Sequence, residues 1–482
     1  MTFTTLTYFL FLWIVFALHW SVPSRRWQNS VLLLASYFFY GWWDFRFCGL
    51  MLISSLLDYS ISLALGGDRR PATRKALLIL ALVTNLGMLG VFKYFNFFAE
   101  NLHAVLLQMG WETSPIMLRI ILPVGISFYT FQTLSYTIDV YRRTMEPTRR
   151  LLDYMTYVAF FPQLVAGPIE RATHLLPQFY QTRRFDSAAA VDGCRQMLWG
   201  LFKKLAIADN LSRVADATYA QPEGSSGVLL AFATVCFAFQ IYCDFSAYSD
   251  IAIGSAKLFG ISLMRNFAFP YFSQDLVEFW RRWHISLSTW FRDYVYIPLG
   301  GNQVSAPRQA FNVLVTFVLS GLWHGASWNF IIWGAINGLG MLPVMFLSRR
   351  PVLRATDVPG GPGLAPSPTV LVRMLVTFFV VCTAWVFFRA ADLETAFTIL
   401  ERMATEVFIA SQWRTLWTGA NVLAAILIAM LLIIEWTRRE HPHPLVLTAM
   451  PRPLRWALYT LLLWSTFYLT PRSTSAFIYF QF

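Results

Sequence analysis

One histidine, His324, combines the side chain and the setting that acid–base chemistry needs. It lies in the apolar run LSGLWHGASWNFIIWG at residues 319–334, close to Gly321 and Gly325. An ionisable side chain in such a run is costly at membrane depth and is therefore a functional candidate. The imidazole titrates near neutral pH, so it can serve as a general base with little adjustment. The sequence favours a catalytic base at His324 over the alternative, a buried histidine that hydrogen-bonds a neighbouring carbonyl.

A second histidine, His284, stands where charge and tryptophan alternate. Residues 277–293 read VEFWRRWHISLSTWFRD, a mixture typical of a helix at the lipid headgroup level, where aromatic belts and arginines are stable. One interpretation is an anchor at the membrane interface. The other is an entrance at which Arg281 and Arg282 gather an anionic, phosphate-bearing molecule, because guanidinium groups suit phosphates. The residues alone leave both interpretations open.

Three carboxylates also lie in apolar runs. Asp244 and Asp250 belong to QIYCDFSAYSD at residues 240–250, and Asp58 lies in an earlier run. Each is expected to pair with an arginine or to orient a histidine, and structural pairing is the favoured role. The sequence has no glycine-rich phosphate loop with a lysine, no His-Glu-x-x-His and no Gly-x-Ser-x-Gly. Its histidines and carboxylates do not have the spacing of metal ligands, so we expect no metal.

The elements that position these residues are expected to be membrane helices. The chain is 56% hydrophobic and 13% charged, whereas soluble domains carry about 25% charged residues. Apolar runs long enough to span a bilayer follow one another along the chain. We therefore predict an all-α polytopic membrane protein with a single membrane domain over residues 1–482. The candidate spans are residues 3–20, 31–43, 48–65, 76–92, 116–140, 154–165, 228–253, 311–322, 328–347, 369–388, 422–434 and 457–469.

Basic residues predict the orientation of the chain. The net charge is +12, and arginines cluster in alternate short loops such as residues 141–150, as expected for cytoplasmic loops. This pattern places the N-terminus outside the cytoplasm and explains the charge without a nucleic-acid partner. One span remains after the last basic loop, which puts the C-terminus outside as well. Residues 167–226, which include Lys203 and Lys204, are expected to form interfacial helices on the inner face.

The depth of His324 in the membrane follows from helix length. If a helix begins near Phe311, Leu322 lies about 12 residues further on, roughly 18 Å into a hydrocarbon core of ~30 Å. The next apolar run then returns toward a basic loop. His324 is thus predicted at a turn near mid-membrane, where a broken backbone is tolerated only if protein buries it or water reaches it. Both conditions suit a reaction chamber.

Taken together, these segments resemble the membrane-bound O-acyltransferase family, in its bacterial branch of alginate O-acetylases and D-alanyl-lipoteichoic-acid transferases. The resemblance covers nearly the whole chain and is closest to the alginate O-acetylase type. The tail FIYFQF at residues 477–482 is similar to the tail of that group. The most specific motifs are VAGPIER at 165–171, QIYCDFSAYSD at 240–250, FWRRWH at 279–284, YIPLGGN at 296–302 and LWHGASWN at 322–329.

This resemblance implies a fold, an activity and partners. About eleven spans, with interfacial helices, would form a ring around a central tunnel. The family's central histidine matches His324, and its second histidine matches His284. The implied enzyme moves an acetyl group from acetyl-CoA, a cytoplasmic thioester, to an extracytoplasmic exopolysaccharide such as alginate. It often does so through a periplasmic SGNH-type acetyltransferase or similar accessory protein. The resemblance also implies a multi-pass protein in the lipids of the bacterial cell inner membrane.

The resemblance also concerns the C-terminal tail. We hypothesise that Tyr479 accepts the acyl group first, as the corresponding Phe-Tyr-Phe motif in related systems suggests. A phenol has a pKa near 10, so an adjacent base such as His324 would help it attack a thioester. The alternative is that Phe477, Phe480 and Phe482 only anchor the tail.

Two other functions stay open at this point. The transferred group could be D-alanyl or another acyl group bound for a cell-envelope polymer. The second alternative is a polysaccharide transporter or flippase, for which inverted repeats and charged residues along several spans are typical. The sequence shows neither feature, so acetyl transfer is the favoured function.

Overall fold

The protein is described by a computed structural model. The described residues are 1–114, 117–118, 121–165, 167–347, 355–361, 363–448, 450–472 and 477–478. Within these ranges the regular elements are helices, and no strand is present. This confirms the predicted all-α class. The physical reason is that lipid offers the backbone no hydrogen-bond partners, so a membrane segment satisfies its own amides and carbonyls within a helix.

The α-helices are numbered here in chain order. They are α1 (Leu6–Ser21), α2 (Arg25–Gly41), α3 (Phe45–Leu65), α4 (Pro71–Leu89), α5 (Phe95–Gln108), α6 (Ile126–Tyr141), α7 (Leu151–Ala159), α8 (Phe161–Leu164), α9 (Ala172–Leu175), α10 (Ser187–Leu201), α11 (Asp209–Tyr219), α12 (Gly227–Leu258), α13 (Leu276–Arg282), α14 (Ile285–Phe291), α15 (Ala306–His324), α16 (Trp328–Leu347), α17 (Pro368–Arg389), α18 (Leu393–Glu406), α19 (Gly419–Arg438) and α20 (Arg452–Leu469). π-Helical segments follow α4, α10 and α14, at Gly90–Tyr94, Phe202–Ala208 and Arg292–Tyr296.

Among the described residues, six helical stretches are long and apolar enough to cross a membrane. They confirm a multi-pass membrane protein, whereas the total of about eleven spans and the central tunnel stay predictions. The stretches are Phe45–Leu65, Pro71–Gln108, Gly227–Leu258, Trp328–Leu347, Pro368–Arg389 and Gly419–Arg438.

The predicted span at residues 116–140 is the one whose start differs most from the structure. Its helix, α6, begins only at Ile126. Gly125 precedes it with a φ of +78°, and a Cβ there would lie 2.9 Å from the carbonyl oxygen of Leu164. A left-handed residue in such close contact ends regular helix, so the apolar sequence before it does not continue α6.

The chain divides into two compact units. Unit 1 comprises residues 1–193 and 252–264, and unit 2 comprises residues 194–251 and 265–482. The single membrane domain over residues 1–482 stays a prediction. Both histidines of interest, His284 and His324, belong to unit 2.

Unit 1 contains a buried polar contact between membrane helices. The carboxylate of Asp58 on α3 accepts hydrogen bonds from Nδ2 of Asn85 on α4, at 2.9 and 3.0 Å. The hydroxyls of Ser62 on α3 and Thr137 on α6 lie 3.3 Å apart. Contacts of this kind hold helices together where the hydrophobic effect is absent. Asp58 therefore has structural partners, which include the amide of Asn85 and the hydroxyls of Thr133 and Thr137.

In unit 2, a hairpin of α15 and α16 carries His324 at its turn. Only three residues separate the two helices, and glycines let their backbones touch. A Cβ on Gly321 would lie 2.1 Å from the carbonyl oxygen of Phe330, and a Cβ on Gly334 would lie 2.3 Å from that of Phe317. Side chains at these two positions would force the helices apart. The close packing thus fixes the turn and, with it, the last residue of α15.

The start of α15 differs from the expected one. The helix begins at Ala306, with a proline in its first turn, and not near Phe311. Proline favours this position because its missing N–H has no partner in a first turn. With 19 residues, α15 is about 28 Å long at 1.5 Å per residue. The mid-membrane depth of His324 depends on a shorter helix and stays a prediction.

Candidate active site

His324, the last residue of α15, lies in an aromatic cage. Its side chain is 5% exposed. The imidazole centroid lies 5.0, 5.1 and 5.2 Å from the rings of Trp323, Trp333 and Phe388, and each ring meets it edge-on. Close packing of this kind restricts the orientation of the imidazole. The site predicted from the sequence therefore has a rigid and largely water-free wall.

A hydrogen bond also fixes the turn that follows His324. Nδ2 of Asn329, in the first turn of α16, donates to the carbonyl oxygen of Ala390 at 2.9 Å. Ala390 directly follows α17, whose residue Phe388 forms part of the cage. The hairpin and α17 thus hold the imidazole from two sides.

His284 occupies a strained backbone position. Its φ and ψ are 42° and 54°, in the left-handed region. Residues other than glycine are uncommon there, and such strain concentrates at functional sites. The strain arises because α13 ends at Arg282 and α14 begins at Ile285, so His284 makes the turn between the two helices. The N–H of Ile285 donates to the backbone oxygen of Asn266 at 2.9 Å and holds that turn.

Asn266 also orients the His284 side chain. Its Oδ1 lies 3.2 Å from Nδ1 of His284 and accepts the hydroxyl of Ser286 at 2.9 Å. Its Nδ2 donates to Oγ of Ser249 at 3.1 Å. Because the amide nitrogen is turned to Ser249, the oxygen faces His284, and the network assigns the proton to Nδ1. Nε2 of His284 therefore carries the lone pair that can accept a proton or a hydrogen bond.

Burial keeps this imidazole neutral. His284 is 1% exposed and lies outside the six apolar stretches. Burial lowers the pKa of His284 to about 3, because the charged form loses its hydration. The imidazole is thus neutral throughout the physiological pH range.

The rings of the two histidines both contact the ring of one tryptophan. The ring centroid of Trp323 lies 6.0 Å from that of His284 and 5.0 Å from that of His324. The structure therefore brings together two residues that the sequence predicted separately. Trp323 itself was not predicted, although its place directly before His324 was a signal.

The two candidate donor-binding arginines have different surroundings. Arg282 is buried; its Nε donates to Glu278 at 2.8 Å, and one Nη donates to the carbonyl oxygen of Asp357 at 3.0 Å. Arg281 is exposed. Donor binding by either arginine stays a prediction. The guanidinium of Arg282 is buried and bonded to Glu278 and Asp357, whereas Arg281 lies at the surface.

A buried set of ion pairs lies along α12. Nζ of Lys204 is 2.9 Å from both Asp209 and Asp244, and Nζ of Lys203 is 2.7 Å from Asp250. Both lysines are 2% exposed, so they are buried in the protein, and the interfacial location of their segment stays a prediction. Carboxylates of α12 neutralise them, which an isolated stretch of sequence does not reveal. Asp244 and Asp250 do have the expected structural pairing, with lysines in place of arginines.

The beginning of the C-terminal tail lies at this set. The N–H of Ile478 donates to Oδ2 of Asp244 at 2.9 Å. The ring centroid of Phe477 lies 4.0 Å from that of Tyr248 and 6.0 Å from that of Phe245. Phe245 in turn meets the His284 ring edge-on at 4.6 Å. The residues predicted to matter further along the tail, Tyr479, Phe480 and Phe482, lie outside the described residues.

The chemistry that this arrangement permits is proton transfer at a reacting hydroxyl. Two imidazoles of restricted orientation lie beside one indole, in surroundings where electrostatic interactions are strong because water is scarce. In the described part of the chain, no three metal-ligating side chains converge. An acyl transfer needs a base for the attacking hydroxyl, and histidine is the side chain that most often supplies it.

Comparison with known proteins identifies the class of this membrane enzyme. Residues 148–356 match the MBOAT, membrane-bound O-acyltransferase family. A probable alginate O-acetylase of Azotobacter vinelandii is 40% identical over 88% of this chain and 81% of its own length. One from Pseudomonas putida is 38% identical over 98% of each chain. A peptidoglycan O-acetyltransferase of Helicobacter pylori is 36% identical over 77% of this chain and 73% of its own.

The chain therefore belongs to the membrane-bound O-acyltransferase family. It is a multi-pass membrane acyltransferase, and the relatives named above carry O-acetylase or O-acetyltransferase names. The family and the enzyme class predicted from the sequence are confirmed.

Proposed function

We propose that this enzyme transfers an acetyl group from acetyl-CoA to hydroxyl groups of an extracytoplasmic polysaccharide of the alginate type. The observation that carries the proposal is the meeting of His284 and His324 at Trp323, because acyl transfer to a hydroxyl needs such a base. The names of the relatives support acetyl as the transferred group and a polysaccharide as the acceptor.

His324 acts as the general base. As the acceptor oxygen attacks the thioester carbonyl carbon, the imidazole takes the hydroxyl proton. The tetrahedral intermediate then expels the thiolate of CoA, which receives the proton from the imidazolium and leaves as the thiol. A positioned base of this kind contributes ~10²–10⁴-fold to the rate.

His284 orients the acceptor. Its tautomer leaves Nε2 as a hydrogen-bond acceptor, and its neutral state persists because burial disfavours charge. A substrate hydroxyl that donates to Nε2 would be held with its oxygen in a defined direction, which lowers the entropy that the reaction must lose. Arg281, the exposed arginine beside this turn, binds the phosphates of CoA.

The acetyl group passes through Tyr479. The phenol oxygen attacks the thioester, which releases CoA thiol and leaves an acetyl ester on the tyrosine. A polymer hydroxyl, or a hydroxyl of an accessory protein, then attacks that ester and restores the phenol. Because a phenol has a pKa near 10, phenolate leaves more readily than a sugar alkoxide does. The contact of Ile478 with Asp244 supports an ordered approach of the tail to the site.

The direction of transfer follows from the basic loops. They support an N-terminus outside the cytoplasm of the bacterial inner membrane, with the thioester taken from the cytoplasmic side. The acetyl group then reaches a periplasmic SGNH-type acetyltransferase or a similar accessory protein. That protein completes the transfer to the exopolysaccharide.

The test uses His324→Ala in the full-length enzyme in lipid nanodiscs, with radiolabelled acetyl-CoA and an oligosaccharide acceptor, with and without the accessory protein. Release of CoA thiol and labelled product should fall by ~10²–10⁴-fold. His103→Ala, the same substitution in unit 1, is the matched control and should keep its activity. A His324→Ala enzyme that acetylates at the wild-type rate refutes the role of the base.

The same variant separates acetyl transfer from the other functions. In cells, an acetyltransferase variant should export polymer that lacks acetyl groups. Loss of export together with acetylation would favour a transporter or flippase. Labelled product formed from a D-alanyl thioester donor, but not from acetyl-CoA, would favour D-alanyl transfer.

A further inference from the structure

The C-terminal tail touches the protein at a point where charge is buried. The N–H of Ile478 donates to Oδ2 of Asp244, whose Oδ1 is paired with Lys204. Lys204 also pairs with Asp209, and each of these three charged side chains is at most 2% exposed. Two carboxylates and one ammonium sum to a formal charge of minus one. A backbone N–H aimed at Asp244 is therefore favoured electrostatically, since hydrogen bonds to ionised acceptors are the strong ones.

The segment that carries Lys204 also contacts α20, the helix that precedes the tail. The π-helix Phe202–Ala208 carries Lys204 and runs directly into α11, which begins with Asp209 and Asn210. Nδ2 of Asn210 donates at 2.7 Å to the carbonyl oxygen of Leu469, the last residue of α20. A carbonyl at a helix C-terminus has no partner within its helix, so this bond fixes the end of α20. One segment thus fixes the end of α20 and, through Asp244, the backbone at Ile478.

A single face of α12 receives the tail beside the candidate active site. Tyr248 lies four residues after Asp244 and three residues after Phe245, so it neighbours both of them on the helix surface. Asp244 binds the Ile478 amide, and Tyr248 and Phe245 contact Phe477. Phe245 also contacts the ring of His284. Phe245 therefore contacts both the tail and His284.

We propose that Asp244, held by Lys204, is a positioning residue that anchors the C-terminal tail beside His284 for acyl transfer. This inference rests on the proposed transfer through the tail. An ion pair that served stability alone would need only its charged partners. Here the carboxylate also receives a backbone amide from a segment 234 residues away in sequence. The anchor acts through the tail and does not itself touch the reacting atoms.

The test removes the amide hydrogen that Asp244 accepts. Ile478→Pro lacks the N–H that Asp244 accepts, whereas Ile478→Val keeps it with a side chain of similar size. Both variants are made in the full chain and placed in lipid nanodiscs. A thermal unfolding measurement checks that both variants fold.

The first measurement is independent of activity. Carboxypeptidase releases residues from the C-terminus, and mass spectrometry follows the loss of Phe482 and Gln481, which precede any bond next to the substituted position. We expect release from Ile478→Pro to be at least about tenfold faster than from Ile478→Val, as the loss of a hydrogen bond to a charged group predicts. Equal release rates in the two variants overturn the anchor.

The second measurement is acetyl transfer. In Ile478→Pro, kcat should fall at least about tenfold relative to Ile478→Val, with the KM for acetyl-CoA unchanged, because the proposed anchor positions the tail and not the donor. Faster release of the tail with the same kcat in both variants overturns the positioning role. Failure of the proposed function has a different signature. Tyr479→Phe would then keep wild-type acetylation, or the wild-type enzyme would transfer no acetyl group, whatever the carboxypeptidase result.

Discussion

Replacement of Asn266 by alanine should reduce catalysis more than it reduces stability. The substitution removes the oxygen that faces Nδ1 of His284 at 3.2 Å and accepts the hydroxyl of Ser286 at 2.9 Å. The turn itself should persist, because the backbone oxygen of residue 266 that accepts from Ile285 is unaffected. The substitution does remove the acceptor that favours the proton of His284 on Nδ1.

The magnitude follows from the loss of the nearest acceptor of Nδ1, because the hydroxyl of Ser286 lies farther away, at 3.5 Å. The loss of an acceptor by a buried donor costs about 1–3 kcal/mol, so the tautomer with the proton on Nδ1 becomes less favourable by that amount. The imidazole then shifts its proton to Nε2 and loses the acceptor site offered to the substrate. Because about 1.4 kcal/mol corresponds to a factor of ten, we expect kcat to fall roughly 10–100-fold.

The assay is acetyl transfer from labelled acetyl-CoA in nanodiscs, with ¹⁵N chemical shifts of the histidine side chains as a direct report of the tautomer. Asn312→Ala is the matched control. Asn312 is also fully buried in unit 2, and its amide donates to the carbonyl oxygen of Gly301, away from His284. The two variants should lose similar stability, and only Asn266→Ala should lose kcat. Equal kcat values at equal folded fractions would refute the role assigned to Asn266.

Three further predictions concern donor binding, packing and pH. Arg281→Ala should raise the KM for acetyl-CoA about tenfold or more with little change in unfolding temperature. Arg282→Ala should instead lower the free energy of unfolding by about 3–5 kcal/mol, because it leaves a buried carboxylate unpaired. Equal KM values for the two variants would contradict this prediction. Gly321→Ala should destabilise the α15–α16 hairpin by about 1–3 kcal/mol in thermal unfolding and reduce acetyl transfer, whereas Gly49→Ala, where a Cβ meets nothing within 4 Å, should not. The pKa of His284 is lowered from 6.5 to about 3, so between these pH values the unfolded chain binds a proton that the folded chain does not. The temperature of the unfolding midpoint should therefore fall as the pH drops below about 6.5. It should fall less in His284→Gln.

Much of the fold could be predicted because apolar runs are local signals. The span predicted at residues 328–347 coincides with α16. Helix ends were less predictable where hydropathy was the only guide. Hydropathy starts α15 near Phe311, whereas Pro307 in its first turn marks the true beginning. The proline is a helix-start signal of its own.

Long-range contacts explain what the sequence could not reveal. Lys203 and Lys204 look like interfacial residues when only their neighbours in sequence are considered, because charge in a moderately apolar stretch is typical of the membrane surface. Their burial depends on Asp244 and Asp250, about 40 residues further along the chain, which neutralise them. The meeting of His284 and His324 at Trp323 is likewise a product of packing between separate helices.

The buried charges of unit 2 raise the question of why they are there at all. Taking an ion pair out of water costs so much that a well-packed apolar replacement is often equally stable, so a buried pair is weak evidence for a role in stability. The pair between Lys204 and Asp244 differs from an inert one because Asp244 also binds the amide of Ile478. An apolar side chain at position 244 could fill the space but could not accept that hydrogen bond. The requirement for an acceptor at the tail accounts for Asp244, and the need to keep its charge compensated accounts for Lys204.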